Sequence, residues 1–393
     1  MLVITIILLG LISYWVVEYQ THQVNLQKIP IRVHVNGTRG KSSVVRLIAA
    51  GLRAGGYKTL AKATGTLPRI IDEHGLEILI PRPKMVNIIE QVKIVRFFSR
   101  RQPDAMVMEC MAVQPEFQWI CEHKMIKATV GVITNARMDH VREMGPSIDN
   151  IARSLSNTIP ANGIAFTSSQ RMYGVMQQEA KRLNAELIQV SNDSVSNEEL
   201  ANFSYVEHRG NVALALAVCQ YLNIDRQTAL QGMYKTHPDA GAMKIFRVKN
   251  SGKEIILINA LAANDPESSL EIWRNVEAVY AFRRKLIVLL NSRADRFDRS
   301  IQLLEMIKDQ LHYDELVLIG QKAEQVLANA LKLKMDKSKI TPLGAKQPEE
   351  VYNYIISSSV EGATVVYAIG NMGAGGLQVV NYFKKQSEVI AAA

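Results

Sequence analysis

Val33-His-Val-Asn-Gly-Thr-Arg-Gly-Lys-Ser-Ser43 is the stretch on which the fold turns. It opens with a short apolar strand, Ile31 to Val35, turns through Gly37 and Gly40, and runs into Lys41-Ser42. Apolar Val44, Val45, Leu47, Ile48 and Leu52 then recur at helical spacing. Strand, glycine turn and helix N-terminus in that order make a phosphate cradle, because glycines let backbone N–H groups approach an anion and the helix dipole adds positive potential. The lysine reaches the outer phosphates, and the hydroxyl after it can take a Mg²⁺. Gly37, Thr38, Gly40, Lys41, Ser42 and Ser43 are therefore the candidate nucleotide-binding residues, with Lys41 in a solvent-facing loop. A bare Gly-Lys-Ser is a common accident; the strand before it and the amphipathic helix after it are what single this one out.

A chain of 393 residues has room for two or three domains with real cores. Charged residues make up 21% and hydrophobic ones 48%, the balance of a folded protein. The formal charge is +9 and the pI about 9.3, which suits a protein that handles anions such as ATP, carboxylates, an acidic polymer or an anionic membrane. Nucleic acid is not indicated, since no basic run is interleaved with aromatics. Cys110, Cys121 and Cys219 have no metal-ligand spacing and read as buried thiols of a reducing compartment.

Met1 to Val17 contains no charge, and Glu18 is the first ionisable side chain. Such a run sits at the lower edge of what spans a bilayer. It has no basic n-region and no small-x-small cleavage site, which argues against a removed signal peptide. Tyr14, Trp15 and Tyr19 at its distal end fit an interfacial belt. The bland alternative is a buried core helix. An ATP-using body requires the side that follows the anchor to be cytoplasmic.

Gln20 to Pro30 is polar and reads as a linker. Strands and helices alternate from Ile31, which implies a parallel sheet with helices on both faces. Strands are expected at Tyr57–Ala63, Glu77–Ile80, Asp104–Glu109 and Ala128–Thr134, and helices at Met85–Arg101, Ser147–Ile159, Met172–Asn184 and His208–Leu222. The rhythm restarts near Gly241, with strands at Glu254–Asn259, Lys285–Asn291, Glu315–Ile319 and Ala363–Ile369. The fold class is α/β: an N-terminal transmembrane helix (1–20), a P-loop ATP-binding domain with a parallel sheet (21–240) and a smaller Rossmann-like α/β domain (241–393).

Glu109 ends an apolar strand, where ligands gather in open α/β sheets, and is a natural Mg²⁺ ligand. Asn135 and Asp139-His140 follow the next strand, and Ser42, Glu109 and His140 together form the candidate metal set. In the second half, Asp265 follows a strand and precedes a helix, so a helix cap is the bland reading. Arg293-Ala-Asp295-Arg296-Phe-Asp298-Arg299 is either a solvated salt-bridged turn or a clamp for carboxylate or phosphate. Gly370-Asn-Met-Gly-Ala-Gly-Gly376 is a third glycine turn, which tight strand–helix packing explains equally well.

Gly37 to Ser42, Thr64-Gly-Thr66, Glu109, Asn135 with Asp139-His140, Asn211 in an apolar helix and Asn264-Asp265 occur in the order of the Mur ligase superfamily. The shortened loop resembles that superfamily's Gly-Thr-x-Gly-Lys-Ser/Thr. The flanking words resemble the ligase subunits of poly-γ-glutamate synthases, the CapB/PgsB type. They are Glu109-Cys-Met-Ala-Val-Gln-Pro115, Met144-Gly-Pro146, Pro238-Asp-Ala-Gly-Ala-Met243, Ala262-Ala-Asn-Asp265 and Arg293-Ala-Asp-Arg296. The resemblance implies that Lys41 holds the β- and γ-phosphates, that Ser42, Glu109 and His140 serve the Mg²⁺, and that Asn211 approaches the nucleotide. Asp265, Arg293 and Arg296 would act from the C-terminal domain. Arg142 stands where many relatives have an Asp, Ala242 replaces an Arg, and no Lys occurs between Lys127 and Lys181. These departures fall on the superfamily's second metal site and its geometry.

The resemblance further implies ATP-dependent amide formation through an acyl phosphate, building γ-linked polyglutamate at a membrane. Glutamate and the growing polymer are the substrates, membrane partner subunits join the complex, and a homo-oligomer is open. Alternatives are a folylpolyglutamate-synthase-like or other Mur-type ligase, and a membrane-tethered NTPase switch.

Overall fold

The computed structural model describes residues 2–65, 68–81, 87–203, 205, 207–236, 244–250, 252–263, 265–277 and 283–391. The chain divides into two compact units, Met1–Asp239 and Ala240–Ala393.

In the first unit, α1 (Leu2–Gln27) leads into β1 (Ile31–Asn36), α2 (Lys41–Ala54), β2 (Thr59–Ala63), β3 (Arg69–Ile71), β4 (Glu77–Leu79) and α3 (Glu90–Ser99). β5 (Ala105–Glu109), α4 (Pro115–Ile120), a π-helical turn at Cys121–Ile126, β6 (Val130–Ile133), α5 (Val141–Met144), α6 (Ile148–Ser156) and β7 (Ile164–Thr167) follow. The unit ends with α7 (Tyr173–Arg182), β8 (Glu186–Gln189), α8 (Asn197–Ala201), α9 (Arg209–Tyr221) and α10 (Arg226–Tyr234). The eight strands form one sheet in the order β4-β3-β2-β5-β1-β6-β7-β8. β2 through β8 in that order pair in parallel, while β3 and β4 add an antiparallel edge. β1 and β5 lie at its centre and are buried on both faces, which is why they read as continuous apolar runs. Val44, Val45, Leu47, Ile48 and Leu52 of α2 are fully buried against this sheet and against α9 and α10. Burial of side chains of this size contributes roughly 1.5–3 kcal/mol each.

The second unit contains β9 (Lys244–Asn250), β10 (Lys253–Asn259), α11 (Pro266–Glu277), β11 (Lys285–Ser292), α12 (Phe297–Gln310), β12 (Glu315–Gly320), α13 (Ala323–Lys332), β13 (Ile340–Gly344), α14 (Pro348–Ser358), β14 (Gly362–Gly370) and α15 (Gly376–Ala391). Its sheet order is β13-β12-β11-β14-β10-β9, parallel except at the β9 edge. Separate apolar clusters cover its two faces, one centred on Trp273 and Leu290, the other on Phe383 and Leu289.

The polar segment Gln20–Pro30 is not a linker. Helix α1 continues to Gln27, and its last turns pack on the first unit. His22 hydrogen-bonds the Met125 carbonyl at 2.8 Å, Ser99 donates to Asn25 at 3.0 Å, and Lys127 donates to Gln23 at 2.6 Å. Leu26 and Ile29 enter the apolar cluster shared with α3. The polarity that suggested a linker is a set of docking contacts. The helix expected from Met85 runs over Glu90–Ser99, its proposed start lying partly outside the described residues. Pro238–Met243, Thr66 and Asn264 are also outside them.

Candidate active site

The phosphate loop joins β1 to α2 at the carboxyl edge of the central sheet. Gly37 has φ +132° and Gly40 φ +80°, both in the region that favours glycine. Neither position has room for a side chain. A Cβ at Gly37 would lie 2.0 Å from Thr134 Oγ1, and one at Gly40 2.4 Å from Asn211 Oδ1. No side chain caps α2, so the N–H groups of its first turn remain available to an anion.

Asn135 braces this loop. Its Oδ1 accepts from Thr38 Oγ1 at 2.7 Å and from the Arg39 N–H at 3.2 Å, while its Nδ2 donates to the Arg39 carbonyl at 3.1 Å. The Thr134 hydroxyl also donates to that carbonyl, at 2.5 Å. The two residues after β6 thus fix the loop's shape.

Lys41 is not the solvent-facing side chain expected. It is the first residue of α2, partly buried, with Nζ folded onto the carbonyls of Gly37 and Thr38. Burial pushes its ammonium below the usual lysine range, opposed by Glu109.

Glu109, at the end of β5, is buried. Its Oε2 accepts from Ser42 Oγ at 2.7 Å and from the Thr64 N–H at 2.6 Å. The structure therefore unites three strand ends, those of β1, β2 and β5. Behind Glu109, buried Gln91 of α3 donates to its carbonyl at 3.1 Å and accepts from Lys62 Nζ at 3.0 Å. Lys62 also pairs with Glu90 at 2.8 Å. Gln91 was not anticipated, although a glutamine on the apolar side of an amphipathic helix is a legible signal.

His140 sits at φ +48° before α5, with ring nitrogens 3.9 Å from Asp139 and 3.7 Å from Glu143. Asp139 pairs with Arg39 of the loop at 3.4 Å. A cavity of about 180 Å³ is lined by Gly37, Thr38, Lys41, Thr64, Asp139 and His140, among others. Among the described residues, no three His, Cys, Asp or Glu side chains converge as a metal cage. Ser42 and Glu109 offer adjacent oxygens next to Thr64, and Thr64 and His140 line one cavity. That donor set fits an oxygen-seeking divalent ion taking its other ligands from phosphates and water, the habit of Mg²⁺.

Asn211 is buried in α9 against Gly40, and its Nδ2 donates to Glu207 at 2.8 Å. Burial pushes the Glu207 carboxyl up, opposed by its bonds to Asn211 and His208. Glu207 is a second unanticipated residue of the loop's surroundings.

In the second unit, Asp265 accepts from the Ser268 N–H at 2.9 Å and caps α11, as the bland reading had it. Arg293 is bidentate on Asp295, at 3.0 and 2.7 Å, and lies against Gly373. Arg296 is half-buried at the start of α12. Asn291, at the end of β11, donates to the carbonyls of Asn371 and Gly373 at 2.5 and 2.7 Å. The Gly370–Gly376 turn is thereby a packed strand–helix junction. Asp265, Arg293 and the glycine turn all lie at the carboxyl edge of this sheet.

This architecture, a phosphate loop on a parallel sheet followed by a second α/β unit, is that of the Mur-type ligases. Residues 35–238 match the Mur ligase middle domain, and residues 245–386 match the poly-gamma-glutamate synthase CapB C-terminal domain. The chain is 35% identical over 359 residues to the PGA synthase CapB of Bacillus subtilis (strain 168), covering 91% of each protein. It is 39% identical over 315 residues to the capsule biosynthesis protein CapB of Bacillus anthracis, covering 79% of this chain and 68% of that one. Among solved structures, a bifunctional folylpolyglutamate synthase/dihydrofolate synthase from Yersinia pestis, complexed with AMPPNP and a Mn ion, superposes with a TM-score of 0.68. That match has 16% identity and covers 95% of this chain and 91% of the other, a likeness of fold. The chain belongs to the CapB family of poly-gamma-glutamate synthases.

Proposed function

We infer that this protein is an ATP-dependent amide ligase that joins glutamate units through γ-linkages. The observation that carries the reading is the Ser42–Glu109 bond at the head of the phosphate loop, with Glu109 also held by Thr64, which lines one cavity with Gly37, Thr38 and Lys41 of that loop. The acceptor's γ-carboxylate attacks the γ-phosphorus of ATP, giving an acyl phosphate and ADP. The amine of the incoming glutamate then attacks the acyl carbon, and phosphate leaves from the tetrahedral intermediate.

The loop's N–H groups and Lys41 hold the phosphates in line and offset the charge developing on them. Ser42, Glu109 and His140 would hold a Mg²⁺, which would supply further charge neutralisation on the phosphate oxygens. Asn211 borders the nucleotide's side of the loop. From the second unit, Arg293 and Arg296 would grip carboxylates, and Asp265 would take the proton released by the amine. Helix α1 exposes apolar side chains from Val3 through Val17, and over Val3–Gln27 it is long and apolar enough to cross a membrane. A bilayer anchor with cytoplasmic catalytic units, working beside membrane partner subunits, would keep an acidic polymer near its exit.

The test is a product assay on membranes holding this protein and its partner subunits, supplied with Mg-ATP and labelled glutamate. A long, protease-resistant, γ-linked polymer is expected. Short additions to a pteroate acceptor would support a folate-type ligase instead, and partner-stimulated phosphate release without an amide product would support an NTPase switch.

A further inference from the structure

We propose that the outer face of α3, formed by Ile89, Lys93, Phe97 and Arg100, lies on an anionic lipid surface beside the point where α1 leaves the domain. This rests on reading α1 as a bilayer anchor.

The first observation is the rigid joint between the two helices. The charge-free run of α1 ends at Glu18, and Glu18 is paired with Arg96 of α3 at 3.6 Å. One α3 turn on, Ser99 holds Asn25 at 3.0 Å. Since α1 is continuous from Leu2 to Gln27, no flexible segment separates bilayer from body. The Glu18–Arg96 contact therefore holds α3 at the depth where the apolar surface of α1 gives way to charge, the headgroup level of a bilayer.

The second observation is the chemistry of the face. Positions 89, 93, 97 and 100 follow each other at helical spacing and are all exposed, Ile89 by 49% and Phe97 by 39%. Lys93 and Arg100 make no ion pair with any described residue. The acid of α3, Glu90, is turned inward onto Lys62. Next to this face the Arg101 guanidinium lies 5.0 Å from the Phe97 ring centroid. Arg101 is paired with Glu73 at 2.8 Å, but the face itself, an aromatic and an aliphatic side chain with the cations Lys93 and Arg100, carries no acid, which is the composition of helices that lie in the lipid headgroup region. Cations there are drawn to anionic lipid, and their stems cover apolar surface.

The test uses the full-length protein in nanodiscs, with one nitroxide at a time introduced through Leu9→Cys, Phe97→Cys or Lys181→Cys. The native cysteines are buried, so labelling is selective. Spin-label accessibility to oxygen against a water-soluble nickel chelate reports depth. In phosphatidylglycerol nanodiscs, the Phe97 label should show an oxygen-to-nickel ratio several-fold above that of the Lys181 label. The ratio should fall toward the aqueous value in phosphatidylcholine, or when Lys93→Glu and Arg100→Glu are added. A Phe97 label as aqueous as the Lys181 label, with the Leu9 label inside the lipid, overturns this proposal alone. A Leu9 label in water overturns the anchor reading and this proposal with it.

Discussion

Ser42 Oγ donates to Glu109 Oε2 at 2.7 Å, tying the first turn of α2 to the end of β5. The bond joins a hydroxyl at the head of the phosphate loop to the carboxylate of a neighbouring strand, whose other partner, the Thr64 N–H, belongs to a residue lining the cavity beside that loop. Glu109→Gln keeps the shape and removes the charge. Turnover should fall by about 100-fold or more and the apparent Mg²⁺ requirement should rise, as loss of a metal's carboxylate environment does. Magnesium titrations of the initial rate measure both. An unchanged Mg²⁺ dependence would remove Glu109 from the metal's surroundings.

Much of this arrangement is legible in the residues. Gly37 to Ser43 declares a phosphate loop, and the apolar runs ending at Glu109 and Asn135 declare strand ends. Asn135 was legible as a position but not as a role, because its side chain bonds the Thr38 hydroxyl and backbone atoms of Arg39, pairings that have no sequence mark. Strands β3, β7 and β8 are short, and β8 is largely exposed on one side, so they lack the period that identifies a strand. The docked end of α1 was hidden for the opposite reason: His22, Gln23 and Asn25 are polar because they hydrogen-bond across the docking surface. Asp265 and Arg293 kept their bland alternatives, since a helix cap and a local ion pair satisfy them within their own unit.

Asn135→Ala should loosen the loop without unfolding the sheet. It removes the side-chain acceptor of Thr38 and Arg39 and leaves the Arg39 carbonyl one donor poorer. The cost is about 1–3 kcal/mol in a partly buried setting, with ATP affinity expected to drop by about 10-fold or more if that cost falls on the bound loop. Nucleotide-binding calorimetry beside thermal unfolding separates the two effects. Wild-type affinity would show that the loop holds its shape without Asn135.

Gly40→Ala places a methyl group where Asn211 Oδ1 lies, at a left-handed φ of +80°. The conformational strain alone is about 1–2 kcal/mol. The variant should fold and lose the thermal stabilisation that ATP confers on the parent protein. A full ATP-dependent shift in melting temperature would contradict the close packing of α9 on the loop.

The pH dependence of stability should carry the mark of His34. This residue is fully buried on β1, with Nδ1 2.7 Å from Glu122 Oε2. Burial disfavours its charge, but its contacts with Cys110 and Glu122 win and hold its pKa at about 9, above the ordinary 6.5. Cys121, His123, Arg32 and Lys62 are further titratable groups acting on this cluster. A raised folded-state pKa means the stabilisation is complete below pH 6.5 and is lost as pH rises through about 9. The amount at stake is on the order of 3 kcal/mol. Unfolding midpoints should therefore fall across that window, and His34→Gln should flatten the slope. An identical slope in the variant would remove His34 as its source.

Lys41→Ala should abolish turnover while the protein remains folded, since Lys41 Nζ contacts loop carbonyls rather than the apolar core. Circular dichroism and the rate of ADP formation check the two halves. Turnover near that of the parent protein would remove the nucleotide assignment.

The central claim is that ATP activates a carboxylate as an acyl phosphate before an amine displaces it. The most direct measurement supplies a glutamate-oligomer acceptor whose terminal γ-carboxylate carries the heavy isotope of oxygen, together with Mg-ATP and glutamate, to the membrane-bound protein with its partner subunits. Mass spectrometry then reads the phosphate released. The account predicts one labelled oxygen in phosphate for each amide bond formed. Amide-coupled phosphate free of label, its new oxygen coming from water instead, would contradict it.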